Sequence, residues 1–296
     1  MEVNLAALKF YIVDVFTQHR YQGNQLAVVL GQPDAKTMQR ITREMNYSET
    51  VFLGPTHGVG SVPVRIFTPG REIPFAGHPT LGTAFVLRRF LGRSDTPLVL
   101  AEQVGPVSVS VEAHQGGERY WMTQPAPVFG DIHDPAAAAS WLGLEADDVD
   151  ARWPVQVVST GLPAFIVPLT SVAAARRARL DMARYRPMLD AGHPSSVLVF
   201  ASGAEQPGHA WHVRVFVGDL GIPEDPATGS ANGCLAAYLA HHQVTGSHEV
   251  DTVVEQGVEM GRPSTLYLRA RPTADGISVQ VGGQVAAVAE GTLLSS

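Results

Sequence analysis

Apolar residues come in short, dense runs near the start of the chain. "FYIVDVF" (10–16) and "QLAVVL" (25–30) are two of them, and "TQHRYQGN" between them carries turn signals. Runs of this length between turn residues predict strands. In "DAKTMQRITREMN" (34–46) the period changes: Met38, Ile41 and Met45 share one helical face behind a candidate cap at Asp34. "ETVFL" (49–53) and "VPVRIF" (62–67) predict strands on either side of a Gly-rich turn. After "TPGREIPFAGHP", the segment "TLGTAFVLRRFLG" (80–92) predicts an apolar helix ending in arginines and a glycine.

The pattern then turns to alternation. "PLVLAEQVGPVSVSVE" (97–112) and "RYWMTQ" (119–124) read as strands of an antiparallel sheet. "QPAPVFGDIHDPAAAASWLGLEADDV" (124–149) is Pro-rich at first and helical around Trp141; its start marks the main domain boundary. This gives domains 1–126 and 127–296, with the last strand, 285–296, a candidate member of the first. Further on, "WPVQVVST", "AFIVPL", "SSVLVF" and "WHVRVF" predict strands, and "VAAARRARLDMARYRPML" one helix. "STLYLRARP" and "GISVQVGGQVAAVAEGTLL" close the chain as a meander. Strands outnumber helices without regular βαβ alternation, so the fold class is α+β with mostly antiparallel sheets, not a Rossmann type.

One internal repeat stands out. "RIFTPGREIPFAGHPTLGTAFVL" (65–87) can be laid on "RVFVGDLGIPEDPATGSANGCLAAYL" (214–239). Arg, a β-branched residue and Phe open both, and Ile73-Pro74 and Ile222-Pro223 follow at the same offset. After a short insertion Gly77-His78 meets Gly229-Ser230, each leading into an apolar helix. A unit of this size cannot bury its own helix, so the match predicts a duplicated domain. Two such domains about a pseudo-twofold axis would enclose a cleft, where ligand sites tend to sit.

Composition narrows the function. The 296 residues are 45% hydrophobic and 17% charged, as in ordinary globular chains. Twenty-eight acids against 21 bases, with no basic run, exclude a nucleic-acid partner. The single cysteine, Cys234, rules out an internal disulfide, suits a reducing compartment and reads as helix core. No apolar run reaches the roughly 18 residues of a membrane helix, so no membrane partner is expected. The start, "MEVNLAALKFYIVDVF", reads as a short acidic tail entering a strand and not as a signal peptide. The expectation is a soluble cytoplasmic protein.

The two glycine-opened helices are the first candidates for chemistry. Helix N-termini carry unpaired N–H groups and partial positive charge, and so attract carboxylates. Gly77 and Gly229 let the backbone come close to a ligand, and Ser230 adds a hydroxyl. Plain capping by Ser, Thr or Asn is the competing reading of each mouth, weakened by their matched positions. Glu49, in "YSETVFL", stands at a strand mouth, where partial desolvation would let a carboxylate shuttle protons; a capping or solvated Glu is the alternative. It has no counterpart in the second half, where "STGLPAFIVPL" is the nearest similar segment. His78 and Asp225 lie beside the two glycines as donors, acceptors or relays; a satisfied loop histidine and an Asp-Pro turn are their bland readings. His209, His212, His241 and His242 lack the carboxylate or third ligand of a metal site. P-loop, G-x-G-x-x-G and G-x-S-x-G motifs are missing, which removes nucleotide and acyl-transfer readings.

On these residues the chain resembles the phenazine-biosynthesis PhzF-like isomerase family, of the diaminopimelate epimerase-like fold. The matching segments are "VDVFT…GNQLAVV", "SETVFL", "RIFTPGREIPFAGHPTLGTAFVL", "EDPATGSANGCLAAYL", "EQGVEMGRPS" and "VQVGGQVAAVAEGTL", in order over the whole chain. The resemblance implies two pseudo-symmetric domains, each a mostly antiparallel sheet wrapped around a central helix, assembled as a homodimer. It places the general acid/base glutamate on Glu49, the active-site histidine on His78 and the aspartate on Asp225. Ser230 and the amides of Gly77 and Gly229 would meet the substrate carboxylate. Neither cofactor nor metal is implied. Related racemases of this fold use two facing cysteines; Ala76 and Thr228 take those places here, and neither forms a thiolate. The expected function is a cofactor-independent isomerase moving a proton on a small amino- or hydroxy-carboxylate. A non-catalytic carboxylate-metabolite-binding protein on the same scaffold is the alternative, and a purely structural protein would leave both mouths without a use.

Overall fold

The computed structural model describes residues 7–55, 60–114, 117–218 and 223–294. Its contacts divide the chain into two units: residues up to Met122 with those from Gly282 onward, and Thr123–Val281.

In the first unit the opening apolar runs form β1 (Leu8–Val15) and β2 (Asn24–Leu30). Helix α1 (Ala35–Met45) follows, capped by Asp34, which accepts from Thr37 N. Then come β3 (Glu49–Leu53), β4 (Val62–Phe67), the two-residue β5 (Glu72–Ile73), α2 (Gly77–Leu91), β6 (Leu98–Glu102), β7 (Gly105–His114) and β8 (Gly117–Thr123). Every residue of α2 from Gly77 to Ala84 is buried, as a helix with sheet on several sides must be. At Gly82 an added Cβ would lie 2.5 Å from Leu26 and 2.9 Å from Val15, so only glycine lets the helix settle this closely on β1 and β2.

The second unit runs β9 (Val128–His133), α3 (Pro135–Trp141), β10 (Val155–Ser159), β11 (Pro163–Leu169), α4 (Val172–Arg177), α5 (Met182–Asp190), β12 (Ser196–Ser202), β13 (Trp211–Val217), β14 (Glu224–Asp225) and α6 (Gly229–His241). β15 (Val250–Gln256), β16 (Ser264–Thr273) and β17 (Gly276–Gly283) follow, and β18 (Val285–Leu293) returns to pair with β1. Residues Gly229 to Ala240 of α6 are all buried.

Both units use one pairing scheme. Antiparallel β1–β2, β3–β4, β4–β5 and β6–β7 have the counterparts β10–β11, β12–β13, β13–β14 and β15–β16. Parallel β2–β3 and β4–β6 have the counterparts β11–β12 and β13–β15. The fold is α+β, duplicated, with a mostly antiparallel sheet around one central helix in each unit.

The structure shifts the register of the repeat. Arg65 and Glu72 form a two-pronged ion pair across seven residues, and Arg214 and Glu224 form the same pair across ten. Glu72 therefore matches Glu224, Pro74 matches Pro226 and Gly77 matches Gly229. The offset match of Ile73-Pro74 with Ile222-Pro223 gives way, because the extra residues lie before Glu224; Ile222 itself lies outside the described residues. The rungs also relocate the counterpart of Glu49. Thr50 pairs with Phe67 and Val197 with Phe216, so Glu49 is matched by Ser196 on β12, not by the β11 segment.

The helix expected over "VAAARRARLDMARYRPML" is two helices. After α4 the chain runs extended, with Arg179 N donating to Leu142 O and Asp181 N to Trp141 O. Asp181 then caps α5 by accepting from Ala183 N and Arg184 N. Besides the two-residue β5 and β14, two longer strands, β9 and β15, are not predicted by the hydrophobic pattern. β9 leaves Val128 and Ile132 exposed, and β15 ends on the fully buried polar pair Glu255 and Gln256. Neither shows the apolar signature of a core strand. Among the described residues no helix is long and apolar enough to cross a membrane.

Candidate active site

In the first unit, Glu49 opens β3, in parallel register with Leu26, and His78 is the second residue of α2. His78 Nε2 lies 3.4 Å from Glu49 Oε2, and Nδ1 lies 3.3 Å from Asn24 Nδ2. Burial pushes the His78 pKa down to about 3, against an opposing backbone hydrogen bond with Gln25, so the ring is neutral near pH 7. A neutral imidazole beside a carboxylate brings no fixed positive charge to hold that carboxylate ionised, which leaves it able to accept a proton.

In the second unit, Asp225 lies on β14 and accepts the Thr228 hydroxyl at 2.5 Å. Gln256 ties the mouth of α6 together. Its Nε2 donates to Asp225 O at 2.8 Å, while its Oε1 accepts from Thr228 N at 3.2 Å and Asn232 Nδ2 at 2.7 Å. Gln124 Nε2 donates to Gly229 O at 3.0 Å. Ser230, second in α6, is largely buried.

Four of the six α-helices among the described residues carry a side-chain cap, from Asp34, Asp134, Ser171 and Asp181. The two glycine-led helices carry none, at Ala76 and at Thr228. The capping alternative thus fails for Thr228: its hydroxyl goes to Asp225 and not to the helix. Helix N-termini without a cap keep their first N–H groups for an acceptor from outside, which suits a carboxylate.

Glu49 and His78 thus meet in one unit, and Asp225, Gly229 and Ser230 cluster in the other, with Gly77 heading α2. The pattern reading does not reach Asn24, Thr80, Glu102, Gln124, Asn232 or Gln256. All six are polar side chains buried in the folded protein, a property that their neighbours along the chain do not announce.

His212 also departs from expectation, because distant parts of the chain bring it carboxylates. Its Nδ1 meets Glu255 at 2.6 Å and its Nε2 meets Glu259 at 3.0 Å. Burial opposes its charge, but the bonds to Glu259 and Glu255 outweigh it and hold the pKa above the ordinary value. Glu205, His212 and Glu259 bring ligand atoms within 4.8 Å of one another. Arg176 pairs with Glu205, and Arg214 lies 3.7 Å from Glu259, so cationic side chains already stand where a cation would compete.

Cys234 is buried in α6, and burial pushes its thiol up to about 11, which makes it unreactive core.

The chain matches the profile of the family described as phenazine biosynthesis-like protein over residues 13–291. It is 36% identical over 288 residues to the trans-2,3-dihydro-3-hydroxyanthranilate isomerase of Pseudomonas aeruginosa, covering 96% of this chain and 98% of that one. The crystal structure of the Bacillus anthracis phenazine biosynthesis protein of the PhzF family superposes with a TM-score of 0.89 at 26% identity, over 98% of this chain and 100% of that one. A probable proline racemase from Agrobacterium radiobacter, with a TM-score of 0.65 over 97% and 93% of the two chains, is 12% identical and shares the fold alone. With the profile running nearly end to end and full-length relatives named as isomerases, the chain belongs to the phenazine biosynthesis-like (PhzF) family and is an isomerase.

Proposed function

We propose that the chain moves a proton on a small amino- or hydroxy-carboxylate without a cofactor, with Glu49 as the general acid and base. Glu49 takes a proton from a carbon made acidic by a neighbouring conjugated, carboxylate-bearing system. The electron pair shifts through that system, and the same carboxyl returns the proton to another of its carbons, so Glu49 ends ionised as it began. His78 and Asp225 orient the amino or hydroxyl group and assist the relay. The amides of Gly77 and Gly229 and the Ser230 hydroxyl hold the substrate carboxylate. Assembly as a homodimer belongs to the same proposal, and light scattering tests it.

The observation that carries this reading is the pairing of Glu49 with a neutral His78 at 3.4 Å, in the one unit of the duplicated fold that has a carboxylate there. Its match in the other unit, Ser196, cannot act as a second base, and Ala76 and Thr228 cannot act as thiolates. A single-carboxylate route fits that inventory.

The substrate named for the Pseudomonas aeruginosa relative, trans-2,3-dihydro-3-hydroxyanthranilate, is the first compound to offer. In deuterium oxide the wild type should isomerise it with label entering carbon. Glu49→Gln should bind it and incorporate none. Label entering at the wild-type rate in Glu49→Gln would refute the assignment, and binding without turnover by the wild type would point to a carboxylate-binding protein.

A further inference from the structure

Glu102 is a buried carboxyl that the proposed chemistry does not use. It ends β6, 7% exposed, and its Oε1 lies 2.6 Å from Thr80 Oγ1. Thr80 Oγ1 also lies 2.8 Å from the carbonyl of Ala76, the residue heading α2. A hydroxyl has one proton to give. For both contacts to be full two-centre hydrogen bonds, one proton must come from Glu102.

The duplicated unit shows what this arrangement does. β6 pairs parallel to β4 with Val62 opposite Leu100 and Pro63 opposite Ala101. β15 pairs parallel to β13 with Trp211 opposite Val254 and His212 opposite Glu255. With Arg65 matched to Arg214, Glu102 falls on Gln256. Thr80 likewise falls on Asn232, each being three residues past the leading glycine. Asn232 Nδ2 donates to the Thr228 carbonyl at 3.0 Å and to Gln256 Oε1 at 2.7 Å, using two protons for two acceptors. Thr80 has one proton for the same two tasks.

We infer that Glu102 is a proton-holding positioning residue of the α2 mouth: its carboxyl O–H donates to Thr80 Oγ1, which leaves the Thr80 hydroxyl to hold the Ala76 carbonyl. Burial pushes Glu102 up to about 8 against the lowering bond from Thr80, consistent with a neutral acid near pH 7. Neutrality matters for the helix it braces, because a charged carboxylate close behind a helix N-terminus would cancel the field that attracts an anion. The charged and titratable groups on the elements against β6 are Arg65 on β4, His78, Arg88 and Arg89 on α2, and Glu112 and His114 on β7. Arg65 and Arg88 are paired with Glu72 and Glu118. The consequence for the substrate rests on the reading of α2 as a carboxylate site; the protonation of Glu102 does not.

Two measurements separate these. Infrared spectra of the unliganded protein at neutral pH should show a protonated-carboxyl C=O band that shifts in deuterium oxide, disappears in Glu102→Gln and moves in Thr80→Val. A band unchanged in a folded Glu102→Gln, or the lack of any such band, overturns the inference whatever the protein's substrate. With trans-2,3-dihydro-3-hydroxyanthranilate, Glu102→Gln should keep kcat and KM within about twofold, since a carboxamide N–H can give Thr80 Oγ1 the proton that the carboxyl gives. Glu102→Ala should raise KM about tenfold or more with a smaller change in kcat, the range expected when one hydrogen bond to a binding element is lost. Equal losses in both variants would overturn the positioning role. If Glu102→Gln fails to fold, retention of the band in Thr80→Val at its wild-type position refutes the bond, and its displacement supports it.

Discussion

Arg214 and Glu224 form a two-pronged ion pair, Nε to Oε1 at 2.8 Å and Nη2 to Oε2 at 2.7 Å, directly before the mouth of α6. Arg65 and Glu72 repeat it before α2, at 2.7 and 2.6 Å. The fork joins the strand that enters each repeat to the two-residue strand that delivers the helix. It fixes β14, and with it Asp225, the neighbour of Glu224, ahead of α6. The two forks differ in burial. The Arg214 side chain is 2% exposed, whereas that of Arg65 is 32% exposed.

That difference sets the first expected outcome. Arg214 Nη1 also donates to the carbonyls of Ala175 and Ala178 at 3.0 and 2.9 Å. Arg214→Ala strands Glu224 and those carbonyls in the interior and should cost about 3–5 kcal/mol. Arg65→Ala, at a wetter site, should cost about 0–1 kcal/mol. Urea unfolding of both variants compares them directly; equal losses would mean that burial does not decide the strength of the fork.

The contrast between the forks and the pattern reading shows what a sequence exposes. Runs such as "QLAVVL" and "SSVLVF" announce buried strands by themselves, and a glycine leading an apolar helix is visible twice. The register of the repeat is not, because an Ile-Pro match and a Glu-x-Pro match compete on equal terms until Arg65 and Arg214 select the glutamates. β15 hides because its last two residues are polar, and they are polar because Glu255 and Gln256 serve a buried network. In the candidate site, Glu49, His78 and Asp225 are marked by their neighbours along the chain. Asn24, Thr80 and Gln256 act across sequence separations that no local pattern carries.

His78 and Glu102 should tilt stability with pH in opposite directions. The His78 pKa falls from 6.5 to about 3 on folding, so below pH 6.5 the unfolded chain takes up a proton that the native ring refuses. Stability then drops as pH falls, by about 1.4 kcal/mol per unit at full slope. The Glu102 pKa rises from 4.5 to about 8, so within that window the native state keeps a proton the unfolded chain has released. Stability drops as pH rises through the window and levels above it. Unfolding curves across the range should show Glu102→Gln losing the alkaline slope and His78→Gln losing the acid one. Unaltered slopes would mean that neither group titrates as described.

Thr228 tests the second mouth. Thr228→Ala removes the hydroxyl donated to Asp225 Oδ2 and should lower kcat/KM by about 10- to 100-fold, the range for one hydrogen bond to a carboxylate. Thr228→Ser keeps the donor and should restore most of the activity. A serine variant as impaired as the alanine variant would assign the role to the Thr228 methyl group instead.

Gly233 probes how tightly α6 depends on Gln124. An added Cβ would lie 1.8 Å from Gln124 Oε1 and 2.3 Å from its Cδ. That side chain is 6% exposed, held by its bond to Gly229 O and by the Thr160 hydroxyl, so it has little room to yield. Gly233→Ala gains about 1 kcal/mol of helix propensity. The overpacking, at about 1–3 kcal/mol, and the broken bonds, at about 1 kcal/mol each, should outweigh it. In a Gln124→Ala background the obstruction is gone and only the propensity remains. The same Gly233→Ala change should there become neutral or stabilising by about 1 kcal/mol. A double-mutant cycle in urea reads the coupling, and an equal cost of Gly233→Ala in both backgrounds would show that Gln124 is not what the glycine accommodates.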